Sequence, residues 1–329
     1  MTPDLVQQAL QPIVHSTLGA EVTIEQCRRL TAGASAATWL VHTNQAPLIL
    51  RLDAGGEQFG TGVGKTIEAQ TQQAAQQAGA PVAEVFYILE NHPQLGSGYL
   101  MAMVEGESLA PRILKSPDLE QARALLPSQC AQALATIHGI NTATLDFLPK
   151  QDAATQLAEL KSLHKSFGET LPVFTLAFRW LEENIPPCPE LALVHGDFRL
   201  GNFLVTEKGL NGILDWELTH LGDPMEDLGW LCVRAWRFNK PQKPVAGLGE
   251  YADLFAAYEQ ASGKTVNASS VRYWELFGTL KWGVICQYQA YTHLQGQVRS
   301  VERAAIGRRV AETEYDMMQL LHSITTEKR

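Results

Sequence analysis

The stretch LALVHGDFRLGNFLV (residues 191–205), with GLNGILDWE (209–217) just after it, decides how this chain is read. It interrupts a second half whose other segments carry helical spacing. Three polar residues stand beside apolar runs in it: Asp197, Asn202 five residues later, and Asp215 at the end of ILD. Asp and Asn are ordinary turn residues. Here, however, LALV, FLV and GIL flank them, and short apolar strands of that kind bury the backbone and direct the polar residues to one end. An amide and a carboxylate are hard oxygen donors of the sort magnesium takes, with water completing its shell. A further carboxylate, Asp197, suits orienting a hydroxyl and receiving its proton. Arg199 can offset charge on a phosphoryl group in transfer. His195 has no nucleophile or metal partner beside it and is expected to support Asp197 from beneath the loop.

Working outward, the first 105 residues alternate differently. Helical spacing over 3–18 ends at Gly19, strand-like runs cover 22–30, 37–43 and 47–52, a helix over 65–79 stops at Gly79 and Pro81, and strands follow at 83–90 and 98–105. Three strands, a helix and two strands give no regular βαβ alternation, so the expectation is an antiparallel sheet with one main helix. Helices are then expected at 119–138, 155–167, 172–183, 225–236, 249–263, 269–293 and 298–325. The expected fold class is α+β and bilobal: a lobe over 1–105 with an antiparallel sheet and one main helix, and a mainly helical lobe over 106–329. VEGES (104–108) joins them, and ligand pockets favour such junctions.

Composition narrows the partners. The chain has 329 residues, 45% of them hydrophobic, enough for a large core without disulfides. A net charge of -9 argues against nucleic acid as the main partner. No apolar run reaches the length of a membrane span, and MTPDLVQQALQPI lacks the basic-then-apolar order of a signal peptide, so a cytoplasmic protein is expected. Five cysteines without a C-x-x-C pair suit reduced thiols and argue against zinc.

In VHGDFRLGNFLV and ILDWELTHLGDPMEDLGWL the sequence resembles the aminoglycoside phosphotransferase and choline kinase-like family. It closely resembles the subgroup also found fused to acyl-CoA dehydrogenase domains. The resemblance runs from LTAGASAATWLV to the last helices. It implies a protein-kinase-like fold, with a nucleotide-binding lobe over 1–105 and the catalytic loop and acceptor pocket in the lobe over 106–329, and a small-molecule kinase moving the γ-phosphate of ATP or GTP to a hydroxyl. It also implies Asp197 as base, Asn202 and Asp215 on Mg2+, Gly33, Ala34 and Ser35 in the loop over the phosphates, and Met103 and Val104 at the hinge beside the base. Arg51 stands where such kinases carry lysine; it keeps the charge and gains a fork of donors. Glu68 serves either as its ion-pair partner or as a solvated helix charge. The subgroup points to a hydroxyacyl compound or its coenzyme A thioester as acceptor. The wider family offers aminoglycosides, amino alcohols and sugars, and a kinase-like nucleotide-binding module without catalysis is the remaining alternative. The short interval after Asp215 leaves no room for a peptide platform, so a small-molecule acceptor is expected.

One motif competes. GTGVGKT (60–66) is close to the phosphate-binding G-x-x-x-x-G-K-[ST], but that pattern requires glycine at Phe59. It is read as the linker into the helix, with Lys65 and Thr66 at the helix start. Glu217 is open between assisting the metal through water, binding acceptor and making a structural hydrogen bond. Asp223 is expected to cap the helix after it, and Asp227 to be structural.

Overall fold

The computed structural model describes residues 1–30, 36–53, 62–238 and 240–327. The chain opens with α1 (Pro3–Leu18), β1 (Ile24–Arg29), β2 (Ala36–Thr43), β3 (Leu48–Asp53), α2 (Lys65–Gln77), β4 (Val85–His92) and β5 (Gly96–Ala102). The five strands form one antiparallel sheet in the order β1-β2-β3-β5-β4. Side chains alternate across a pleat. Leu48, Leu50 and Leu52 of β3 therefore share one face, packed with Val6, Leu10 and Val14 of α1 and with Trp39. The opposite parity carries Arg51 and its cross-strand partner Tyr99, which clusters with Ala69 of α2. A one-residue slip would drive Arg51 into the leucine face, so the pairing register fixes where this charge points. The last strand stops at Ala102 rather than 105, because its pairing with β3 ends at Leu48.

After a linker come α3 (Ala110–Lys115), which sequence spacing did not indicate, then α4 (Glu120–His138), α5 (Ala153–Ser166) and α6 (Pro172–Glu183). Four short strands follow: β6 (Ala192–Val194), β7 (Phe203–Thr206), β8 (Gly209–Ile213) and β9 (His220–Gly222). The series closes with α7 (Met225–Cys232), α8 (Tyr251–Ser262), α9 (Ala268–Leu294), α10 (Val301–Gly307) and α11 (Val310–Glu327). The last two replace the single expected helix. The break falls at Gly307, whose backbone lies so close to Ala290 of α9 that an added Cβ would come within 2.6 Å. Likewise 225–236 is not one helix: α7 ends at Cys232 and a 3-10 turn, Arg234–Trp236, follows.

β6 pairs with β9 and β7 with β8, giving two ribbons. The loop from β6 to β7 and the loop from β8 to β9 consequently run side by side. Phe198, Phe203 and Trp216 anchor them in the main core with Leu134, Leu228 and Trp274. No described helix is long and apolar enough to cross a membrane.

Candidate active site

The loop after β6 begins with Gly196 at φ +79°, pressed against Leu218 so that a Cβ would meet its carbonyl at 2.4 Å. Only glycine fits there. Buried Asp227 of α7 accepts the backbone N–H groups of His195 (2.8 Å) and Gly196 (3.0 Å), and His138 Nε2 (3.1 Å). Burial alone would raise its pKa, but the His138 hydrogen bond and charge, with His195, hold it below the ordinary carboxylate range. His195 Nδ1 accepts the Asp197 N–H at 3.2 Å, which leaves Nε2 to donate to the Leu214 carbonyl at 3.0 Å. Burial pushes the His195 pKa down against the pull of Asp227, Asp197 and Asp215, keeping the neutral form this pattern needs. His195 supports the loop as its surroundings implied.

The Asp197 carboxylate is held by three donors. Oδ1 accepts from Arg199 Nε (2.9 Å) and Trp230 Nε1 (2.8 Å), and Oδ2 from Asn202 Nδ2 (2.6 Å). Because a carboxylate cannot donate, the Asn202 side-chain amide must present its NH2 to Asp197, which turns its Oδ1 away from that carboxylate. Leu214 N–H donates to the Asn202 backbone carbonyl at 2.8 Å, tying the second loop to the first just before Asp215. Asp215 itself adopts the left-handed conformation, φ 67° and ψ 67°, uncommon outside glycine.

Asp215 also meets the sheet. Its Oδ1 takes Arg51 NH2 at 2.9 Å, while Arg51 NH1 lies 3.3 Å from Glu68 Oε1. Burial would raise the Asp215 pKa; the charge and hydrogen bond of Arg51, with Lys65 and His195, outweigh it and hold the carboxyl below its ordinary value. Glu68 is fully buried, so it is no solvated helix charge. It is shared by Arg51, by Lys65 Nζ (2.5 Å) and by the Tyr99 hydroxyl (2.7 Å). Lys65 and Thr66 begin α2, as read from the linker, but Lys65 is buried and committed to carboxylates. Among the described residues no cluster of three or more His, Cys, Asp or Glu side chains forms a metal cage. The Asn202 oxygen with Asp215 is a two-donor set, which fits a cation that keeps water and phosphate as its other ligands.

Met103 is exposed and Val104 half-buried on the linker after β5, where Val104 packs near Gly212 between the sheet and the second ribbon. Gly33, Ala34 and Ser35 lie outside the described residues. Glu217 follows Asp215 closely, its Oε2 3.8 Å from Lys65 Nζ. Asp223 Oδ1 accepts the Met225 N–H at 2.9 Å, so it serves the start of α7, which begins at Met225 as expected.

Three residues here escaped sequence reasoning. Trp230 sits one turn after Asp227 on α7, and i,i+3 neighbours share a helix face; that spacing was the available signal. Trp236 carries Arg199 over its ring at 4.7 Å, and Trp230 carries Lys281 of α9 at 5.1 Å. Lys281 has no carboxylate partner among the described residues. It lines a cavity of about 530 Å3 with Leu160, Leu163, Leu218, Phe277 and Ile285, and Glu159 stands at the same cavity. A larger depression of about 1050 Å3 near α3 and the β7–β8 turn contains none of these loop residues.

Comparison with known proteins agrees with this geometry. The model of the phosphotransferase enzyme family (APH) matches residues 26–264. Acyl-CoA dehydrogenase family member 10 of Mus musculus is 28% identical over 245 residues, 70% of this chain but only 22% of that protein. The chain thus spans about a quarter of the length of the curated relatives it matches. Among solved structures, a Ralstonia eutropha protein assigned as an aminoglycoside phosphotransferase superposes with TM-score 0.76 at 20% identity, covering 96% of this chain and 98% of that one. Spectinomycin phosphotransferase, solved with ADP and spectinomycin, gives TM-score 0.67 at 12% identity, over 97% and 99%. At such identities the structures establish the kinase-like fold. The family match takes in the sheet from β1, both loops and the helices through α8, and on it the chain belongs to the phosphotransferase enzyme family.

Proposed function

We propose that this chain is a magnesium-dependent small-molecule kinase, transferring the γ-phosphate of ATP or GTP to a hydroxyl in the cleft between a lobe of residues 1–105 and one of 106–329. The observation that carries the reading is the meeting of Arg51 from the sheet with Asp215 from the second loop, beside an Asp197 whose carboxylate is oriented by three donors. Asp197 receives the acceptor's proton as its oxygen attacks. With its carboxylate held by three donors, its main work is to aim the hydroxyl in line with the phosphoryl group. Arg199 is tethered to Asp197 and stacked on Trp236, at hand to offset charge on the phosphoryl oxygens. Asn202 and Asp215 would hold magnesium, which would supply neutralisation of the phosphate charge. Arg51, which rests against Glu68 in the structure, supplies the cation for the phosphates; Gly33, Ala34 and Ser35 belong to the loop over them, and Met103 and Val104 flank the base. The nucleotide in the spectinomycin phosphotransferase structure supports this use of the fold.

The acceptor we infer is a hydroxyacyl compound or its coenzyme A thioester. Lys281 supports it: a half-buried ammonium free of carboxylates, above the tryptophan that holds Asp197, at an apolar cavity sized for a small ligand. Relatives named as acyl-CoA dehydrogenase family members favour the same class. Glu159 at that cavity supports a second reading, an amino alcohol or aminoglycoside. A panel of hydroxy acids, hydroxyacyl thioesters, amino alcohols and aminoglycosides, followed by ADP release, separates them. Turnover confined to acyl compounds, with KM raised about tenfold in Lys281→Met, is the expected result; turnover confined to cationic acceptors refutes it.

A further inference from the structure

Lys65 is the first residue of α2, yet its side chain turns inward and is 1% exposed. We propose that Lys65 is a positioning residue: by holding Glu68 on its own, it frees Arg51 to leave its carboxylates for the nucleotide phosphates. This rests on the kinase reading above.

In the structure Arg51 is engaged at both ends, NH1 near Glu68 and NH2 on Asp215. Its Nε is buried and has no acceptor among the described residues, an unspent donor beside the two groups that face the phosphate side. To reach a phosphate the guanidinium must loosen its hold on Glu68. Glu68 is fully buried, and removing the only cation from a buried carboxylate is strongly destabilising. A single-cation site would therefore resist the exchange. Here a second cation is present. Lys65 Nζ lies 2.5 Å from Glu68 Oε2, the oxygen Arg51 does not use, and the Tyr99 hydroxyl donates to the other oxygen. Lys65 and Glu68 stand at i and i+3 of one helix, so their contact survives a shift between α2 and the sheet, whereas the contact to Arg51 spans two elements.

The same lysine reaches the metal loop. Its Nζ is 3.8 Å from Glu217 Oε2, and the neighbouring Val63 N–H donates to the Glu217 carbonyl at 2.8 Å. The start of α2 is thus fastened to the residues directly after Asp215. Among the described residues two cations, Arg51 and Lys65, face three carboxylates here, Glu68, Asp215 and Glu217, and the arrangement lets one cation move while the other stays.

The test uses the whole chain, with binding of Mg2+ and a non-hydrolysable ATP analogue measured by calorimetry alongside steady-state kinetics. In Lys65→Met, Arg51 stays on Glu68: analogue affinity falls and nucleotide KM rises by about tenfold, while kcat changes by less than about threefold. Adding Glu68→Gln to that variant removes the charge that traps Arg51 and restores affinity to within about threefold of wild type. Lys65→Arg keeps wild-type affinity. A residue that merely stabilised the fold would give a double variant no better than the single one. If Lys65→Met does not fold, the double variant, with neither buried charge, stands in: once folded it must bind as wild type does, and weak binding overturns the proposal. Unchanged affinity in Lys65→Met overturns it too. A wild-type chain that binds no magnesium nucleotide fails the kinase reading and this inference together; one that binds it, with Lys65→Met unaffected, fails this inference alone.

Discussion

Asp227→Asn should damage the scaffold of the site by a predictable amount. The carboxylate accepts three hydrogen bonds, from the His195 and Gly196 amides and from His138 Nε2, with no exposure to water. Hydrogen bonds to a charged partner contribute about 1.5–3 kcal/mol each. Asparagine keeps the shape and, with its oxygen in the place of Oδ2, the bonds from His195 and His138, but its NH2 then faces the Gly196 N–H, so one of the three bonds is lost, a deficit of about 1.5–3 kcal/mol. Against a total stability of about 5–15 kcal/mol, the variant folds with a much lower margin. Urea denaturation at pH 7 reads this directly. The pH dependence has a definite sign: the Asp227 pKa is depressed in the folded chain, so its contribution is complete above the ordinary value of 3.8 and is lost as pH falls through the folded value. The gap between wild type and variant should therefore narrow below about pH 4. A variant within about 0.5 kcal/mol of wild type at pH 7 would show that Asp227 does not hold the loop.

Two further outcomes follow from single contacts. Trp230→Phe removes the indole donor to Asp197 while keeping an aromatic ring beside Trp236, and should lower kcat about tenfold with nucleotide KM within about twofold; an unchanged kcat would mean Asp197 is positioned without it. His220 is buried, which lowers its pKa, but Glu226 at 3.1 Å overrides this and raises it, despite opposition from Lys281. Its contribution is then complete below the ordinary value of 6.5 and lost as pH rises through the folded value. His220→Gln should cost stability at pH 6 and less at pH 9 by thermal denaturation, and a cost that grows with pH would refute the pairing.

The polar loop was legible because its residues are both chemically specific and locally spaced. Asp197, Asn202 and Asp215 lie within two adjoining loops whose apolar flanks announce themselves. The sheet was legible from its strand-like runs and the turn residues between them, but the face of Arg51 was not, because Ile49 makes LILRL apolar on both parities and only the pairing with β5 sets it against Tyr99. What was not legible depends on distant packing. Lys281 and Trp230 meet only because α7 and α9 cross, and nothing in WELFGTLKWG distinguishes that lysine from a solvated one. Lys65 was read as a helix start, correctly, but its burial follows from Glu217 closing over it from another element. The last helix was read as continuous because the contact of Gly307 with Ala290 leaves no mark on local propensity.

The central claim is tested most directly by Asp197→Asn, an isosteric change that keeps the site filled while removing the carboxylate charge. ADP release in the presence of acceptor and calorimetric binding of Mg2+ with a non-hydrolysable ATP analogue are measured side by side. The account predicts that turnover falls by about a thousandfold or more while analogue affinity stays within about threefold of wild type. Turnover at the wild-type rate in a folded Asp197→Asn chain would contradict it.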